Sequence, residues 1–139
     1  MSYAVKSELR ERIGASIFDE IYGPLPVETP EGDLASAAAE IDGAVAYRYA
    51  RPVSGAASLA LLKDWNLTLA EERAFARPIG GDFSEKIKTR VAQVRQYLAM
   101  IRTDDFRLPD AVENGSGSGG VTLVQRDEPV FGRDRMKGF

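Results

Sequence analysis

Any catalysis by this chain would rest on Asp, Glu, Lys, Ser or Tyr, because its 139 residues include no histidine and no cysteine. The absence of histidine removes the usual base near neutral pH and the usual zinc ligand. The absence of cysteine excludes disulfides, thiolate metal sites and cysteine nucleophiles. Most enzyme classes are therefore improbable from composition alone.

The carboxylates that lie close together in the sequence do not form an acid–base pair. Glu40 and Asp42 are two positions apart on a predicted helix, so their side chains do not face each other. Glu71 and Glu72 are adjacent and diverge in the same way. Neither pair converges unless another part of the chain brings it a partner.

The glycine-containing stretches are typical of turns and linkers. Residues 80–82 and 115–120 lack the Lys-Ser/Thr ending of a phosphate loop and do not follow a predicted strand. Ser54-Gly55 begins a predicted helix and has no histidine to activate the hydroxyl. We expect no enzymatic activity, no metal and no cofactor.

The apolar spacing predicts an all-α fold, a compact bundle of about four helices. A first helix is predicted over residues 2–13, with Ser2 as a possible cap and Gly14 as its end, followed by a second short turn of helix over residues 15–22. Proline and glycine then predict an exposed loop up to residue 32. Asp33 is predicted to cap the next helix, which ends near Arg51-Pro52.

Two longer helices complete the predicted bundle. Residues 54–76 carry a broad apolar face in which Trp65 is assigned to the core. Asp82 and Glu85 form a capping box for the last helix, over residues 83–103. Its apolar residues are spaced by three and four and form one seam: Ile87, Val91, Val94, Leu98 and Ile101. Residues 106–109 are predicted to be a short extended lead-out.

The domain organisation follows from a change in composition near residue 114. Residues 1–113 form the predicted helical domain, residues 114–120 a flexible Gly/Ser hinge, and residues 121–139 a C-terminal interaction arm. The arm is too apolar for a solvated tail, so another subunit is its expected binding partner, the alternative being a terminal hairpin on its own domain. The predicted interface residues are Val121, Leu123, Val124, Val130, Phe131, Arg133, Arg135, Met136 and Phe139.

Charge is distributed unevenly along the chain, although the net charge is only −3. Residues 1–50 carry four basic and nine acidic side chains, whereas residues 83–103 carry five basic side chains and one acidic one. Opposed patches suit head-to-tail contact between identical subunits, and ordinary solvated helix faces are the alternative. The residues assigned to such contacts are Lys86, Lys88, Arg90, Arg95, Glu8, Glu11, Asp19 and Glu20.

Composition also bears on membranes and nucleic acids. The chain has no apolar run long enough to cross a bilayer and no signal-peptide pattern at its start, so we expect a soluble protein made in a cytoplasm. The cations of the last helix are distributed around it and the sequence pI is near 5.1, which disfavours sequence-specific DNA binding. An acidic subunit is compatible with a pore through which DNA passes without being held.

One stretch of the sequence resembles a known family. Residues 39–52, which read AEIDGAVAYRYARP, resemble the signature of the small connector proteins of Mu-like phages and prophages, with Ala44 and Val45 where tyrosine and leucine are common. The tyrosine-containing start and the final residues 130–139, VFGRDRMKGF, are also similar to that family. The likeness spans nearly the whole chain.

The resemblance implies a structural protein of the virion neck, assembled in the bacterial host cytoplasm. It implies a homo-oligomeric ring of about twelve copies that joins the portal protein to the tail or a second neck protein and lets DNA pass without specific binding. The alternatives are a tail-completion or tail-terminator ring subunit and a small regulatory DNA-binding protein. Arg48 is expected either to bind Asp42 or Glu20 inside the subunit or to lie in solvent.

Overall fold

The computed structural model describes residues 2–77 and 85–114 as an all-α fold. Within these residues the chain forms five helices: α1 Lys6–Ile13, α2 Ala15–Tyr22, α3 Thr29–Val45, α4 Ala56–Phe75 and α5 Glu85–Arg102. The described residues contain no strand, only an isolated antiparallel bridge between Tyr49 and Glu113. The predicted fold class is confirmed, with two short N-terminal helices in place of one helix and a turn.

Helix α1 begins later than predicted because the preceding residues bind a distant side chain. The amides of Tyr3 and Ala4 donate to Oδ1 of the buried Asn66, at 2.9 and 3.0 Å. These bonds hold Tyr3 and Ala4 outside the helix, and the amide of the extended Val5 is capped by the Glu8 side chain. Ser2 is therefore not the cap, whereas Gly14 ends the helix as predicted, with φ at 102°.

Helix α3 begins earlier than predicted, at Thr29. Pro30 lies in the first turn, where a missing N–H costs nothing, so the proline predicted to belong to a loop instead starts the helix. The assignment of Asp33 as the cap was wrong. Asp33 is buried inside the helix and accepts hydrogen bonds from the Tyr22 hydroxyl at 2.6 Å and from Arg77.

The three long helices α3, α4 and α5 pack against one another around the core. Small side chains of α3, namely Ala37, Ala38 and Ala44, are fully buried and allow its neighbours to approach closely. The predicted seam of α5 is confirmed, with its last four members buried. Helix α1 packs on α2, α3 and α4 and closes one side of this core.

Trp65 is a core residue, as predicted. Its side chain is buried and its ring stacks on Tyr97, with centroids 5.7 Å apart and an interplanar angle of 10°. Phe106 completes the aromatic cluster at 5.0 Å from Tyr97. The cluster joins α4 and α5 to the segment that follows α5.

The segment after α5, residues 103–114, returns across the body and is here called the strap. The amide of its buried Leu108 donates to the Tyr49 hydroxyl at 2.8 Å. Further along, Val112 accepts from the Ala50 amide at 2.8 Å. The strap ends at Asn114, whose amide donates to the Arg48 carbonyl at 2.7 Å. The predicted lead-out at residues 106–109 is thus part of a longer segment that is hydrogen-bonded to the body.

Within the described residues, no helix combines the length and the apolar character needed to cross a membrane.

Candidate interaction surface

A surface groove of about 930 Å³ lies where the N-terminus, the end of α3 and the first half of α4 meet. Its floor is apolar and consists of Pro52, Val53, Ala56, Leu59 and Ala60. Leu59 remains 37% exposed in it, although it belongs to the broad apolar face predicted for residues 54–76. An open apolar floor of this kind is typical of a binding surface.

The polar rim of the groove is already hydrogen-bonded within the chain. The Tyr3 hydroxyl donates to Asp42, whose carboxylate lies 3.5 Å from Nη1 of Arg51. Burial and the Asp42 carboxylate raise the pKa of Tyr3, so its hydroxyl stays protonated. Lys63 also lines the groove, and its Nζ lies 2.8 Å from Glu8. The rim offers hydrogen-bonding and charged groups for recognition.

The start of α4, next to the groove, is held by the strap. Asp110 accepts from the amides of Ala57 and Ser58, at 3.0 and 2.8 Å, and so caps the helix from outside it. The hydrogen bonds from Ser58 and Ala57 lower the pKa of Asp110. Gly55 makes this approach possible, because a Cβ there would lie 2.6 Å from the carbonyl oxygen of Asp110 and closer still to its carboxylate.

Buried ion pairs connect the helices on the side of α4 that faces α1 and α5. Oε1 of Glu71 lies 3.2 Å from both Arg12 of α1 and Arg90 of α5, and the Glu71 side chain is 4% exposed. Burial raises the pKa of Glu71, while Arg90 and Arg12 oppose that rise. Arg12 also contacts Asp64 at 2.6 Å. The carboxylate that had no partner in the local sequence thus finds two cations from distant helices.

A second ion-pair cluster joins α3, α4 and α5 near the surface. Arg95 of α5 lies 2.9 Å from Glu40 of α3 and 2.6 Å from Glu72 of α4. These hydrogen bonds raise the pKa of Arg95, so its charge is permanent. The paired carboxylates of Glu40 and Glu72 stabilise the packing of the three helices.

The residues predicted to form charged contacts between subunits fall into two groups. Arg90, Arg95, Glu8 and Asp19 form ion pairs within the chain, the last with Arg10 at 3.3 Å. The other four are exposed, and Lys88 among them forms an ion pair with the neighbouring Glu85; these four are Lys86, Lys88, Glu11 and Glu20. A charged contact between copies therefore stays a prediction. These four exposed residues are the ones most available to form it.

Arg48 pairs with an acidic residue of its own chain, as one of the two alternatives expected, but with neither of the partners named from the sequence. Its guanidinium lies 4.0 Å from Asp104, at the start of the strap, and makes no ion pair with Asp42 or Glu20. Asp42 instead binds Tyr3 and Arg51, which the turn after α3 brings back beside it. With its side chain 40% exposed, Arg48 lies mostly at the surface.

The predicted hinge and arm, from residue 115 onward, lie outside the described residues, as do Asp82 and Phe83. The predicted arm interface therefore stays a prediction. The sequence analysis did not predict the groove. Its lining residues come from three separate parts of the sequence, at positions 2–3, 42 and 51–63, which only the fold brings together. The one local signal is that Asp42, Arg51 and Pro52 all belong to the stretch that carries the family resemblance.

Comparison with known proteins places the chain in a phage family. A family described as Bacteriophage Mu, Gp36 matches residues 3–124, which include both described parts of the helical body and the start of the arm. No curated protein and no solved structure matches the chain. Because the match spans most of the sequence, the chain belongs to the bacteriophage Mu Gp36 family.

Proposed function

We propose that this protein is a head-to-tail connector subunit, a neck adaptor that forms a ring between the portal and the tail of a phage virion. The observation that carries the proposal is that the chain belongs to a Mu phage family. Its helical body also has an open apolar groove on which a partner could bind. In this proposal the protein has no catalytic role, and DNA passes through the ring without specific contacts.

The ion-pair clusters support a subunit of fixed shape. Glu71 and Arg95 each join side chains from three different helices, so sliding of one helix along another would break charged contacts at several points. A ring that transmits force between a capsid and a tail needs such rigid subunits. The exposed apolar groove then provides the contact area that these polar clusters lack.

The pairing of the α5 cations favours a ring through which DNA passes over a protein that binds a specific DNA sequence. Two of the strongest phosphate-binding candidates, Arg90 and Arg95, already bind carboxylates of the same chain. Stable duplex binding needs several cations free for phosphates, and the chain as a whole is acidic, with a net charge of −3.

Electron microscopy of the purified protein at high concentration tests the ring directly, and co-purification with portal protein or tail-tube protein tests its position. A connector binds portal, and the alternative tail-completion or tail-terminator subunit binds tail tube. A monomer that binds neither partner, and instead shifts duplex DNA in a salt-sensitive gel assay, would overturn the proposal in favour of a regulatory DNA-binding protein.

A further inference from the structure

We propose that the groove of one copy binds residues 121–131 from the C-terminal arm of a neighbouring copy. This inference rests on the proposed assembly into rings and identifies the surface on which neighbouring subunits meet. It is argued from the lining of the groove, the residue pattern of the arm and the direction in which the strap leaves the body.

The groove requires an occupant with apolar side chains. Its floor is apolar, and its volume of about 930 Å³ gives room for several of them. Leu59, Val53 and Tyr3 all line it. Water on such a floor is displaced at a gain in free energy when apolar side chains bind.

Residues 121–131 match both the floor and the rim of the groove. Their sequence, VTLVQRDEPVF, has an apolar cluster at each end and the acidic pair Asp127-Glu128 between them. The rim carries Arg51 and Lys63, whose side chains are 49% and 46% exposed and so can contact a second carboxylate beside those of their own chain. An extended segment can thus place apolar residues on the floor and its acidic pair beside these cations.

The direction of the strap makes a neighbouring copy the source of the arm. Val112 pairs with Ala50, and Asn114 pairs with Arg48 and, through its side chain, with Ala46 at 2.9 Å. The strap therefore runs antiparallel to residues 46–50, and each residue carries it further from Arg51 and the groove. The six residues 115–120 can span at most about 20 Å between the end of the strap and the arm.

Cross-linking of full-length protein tests this placement, because the chain has no cysteine of its own. One variant carries Ala60→Cys, an exposed alanine in the groove, and another carries Thr122→Cys in the first apolar cluster of the arm. Mixed under mild oxidation, the two should form a disulfide-linked dimer several-fold faster than Thr122→Cys mixed with Ala92→Cys. Ala92 is the matched control, an exposed alanine on α5 outside the groove.

Two further results complete the test. A synthetic peptide with the sequence of residues 121–131 should slow the cross-link to the rate of the Ala92→Cys control. A double variant, Ala60→Cys with Thr122→Cys, should give linked oligomers in proportion to protein concentration. An intramolecular disulfide at low concentration would overturn the inference, as would equal rates with Ala60→Cys and Ala92→Cys.

The outcome separates this inference from the proposed function. Rings seen by microscopy without the specific cross-link would leave the connector function standing and overturn the arm-in-groove contact. Conversely, a specific cross-link in a protein that binds neither portal nor tail protein would support the contact and overturn the connector function.

Discussion

Replacing Glu71 by glutamine should cost little stability, although Glu71 lies between two arginines. Oε1 accepts hydrogen bonds from Arg12 and Arg90, each at 3.2 Å, from a side chain that is only 4% exposed. Burial is the largest influence on this group and raises its pKa in spite of both cations. The ionised form is therefore less favourable here than in the unfolded chain, and a neutral amide of the same shape avoids that cost.

The magnitude follows from the contacts. In Glu71→Gln the two arginines keep their charge but donate to a neutral amide oxygen instead of a carboxylate, a loss of roughly 2 kcal/mol, and the removed desolvation cost offsets most of it. We expect a net change below about 1 kcal/mol. Glu71→Ala removes the acceptor altogether and should cost about 2–3 kcal/mol, at the low end for a buried pair because the Arg90 side chain is 38% exposed.

The pH dependence has a definite sign. Because the folded-state pKa of Glu71 is raised above its ordinary value of 4.5, folding favours the protonated form. The stabilising contribution is complete below about pH 4.5 and is lost as the pH rises through the folded-state pKa. Glu71→Gln does not titrate, so its free energy of unfolding should improve relative to that of the wild type as the pH rises.

Urea unfolding followed by far-UV circular dichroism, at several values from about pH 4 to about pH 8, measures these differences. Glu72→Gln is the matched control, since the neighbouring Glu72 pairs with Arg95 nearer the surface and should show no such gain. The reasoning fails if Glu71→Gln is as destabilising as Glu71→Ala and its free energy of unfolding falls further below that of the wild type as the pH rises. That result would mean that attraction to the arginines outweighs the cost of burial.

The remaining predictions concern the strap, a buried hydroxyl and assembly. Gly55→Ala should lower stability by about 1–3 kcal/mol and increase amide exchange at the start of α4, because its Cβ would displace Asp110; unchanged exchange there would contradict the capping role. Tyr22→Phe should cost about 1–2 kcal/mol in urea unfolding through loss of the 2.6 Å bond to Asp33, and a neutral result would mean that Arg77 alone satisfies that carboxylate. Deletion of residues 115–139 should leave the circular dichroism spectrum of the helical body intact but abolish ring formation, and rings of the truncated protein would count against the arm. Assembly should persist as the salt concentration rises if the apolar groove dominates it, whereas loss of rings in high salt would favour the charged patches.

Helix positions could be predicted from the sequence where the apolar period is long and uninterrupted. The prediction of residues 54–76 differs from α4 by two residues at the start and one at the end, and the end of α5 by one. The start of α1 differed because capping rules consider only neighbouring residues, whereas Asn66 binds the amides of Tyr3 and Ala4 from more than 60 positions away. Tertiary contacts decided that boundary.

The groove and the ion pairs could not be predicted for the same reason. Arg12 reaches Glu71, and Arg95 reaches Glu40, across 59 and 55 positions of sequence. Charge counts showed an acidic first half and a basic last helix, but not that some of these charges neutralise each other inside one subunit. The prediction of opposed patches for assembly therefore included residues that the fold already uses.

The stretch that carries the family resemblance forms the junction on which the proposed interface depends. Within residues 39–52, Asp42 holds Tyr3 and Arg51 at the groove, and the Tyr49 hydroxyl holds Leu108 of the strap. The same turn thus fixes the N-terminus, one wall of the groove and the path by which the chain leaves the body. Since the strap ends beside this junction and the groove opens next to it, a change here would alter both surfaces of the proposed contact together. That coupling gives a physical reason for this stretch to carry a family signature.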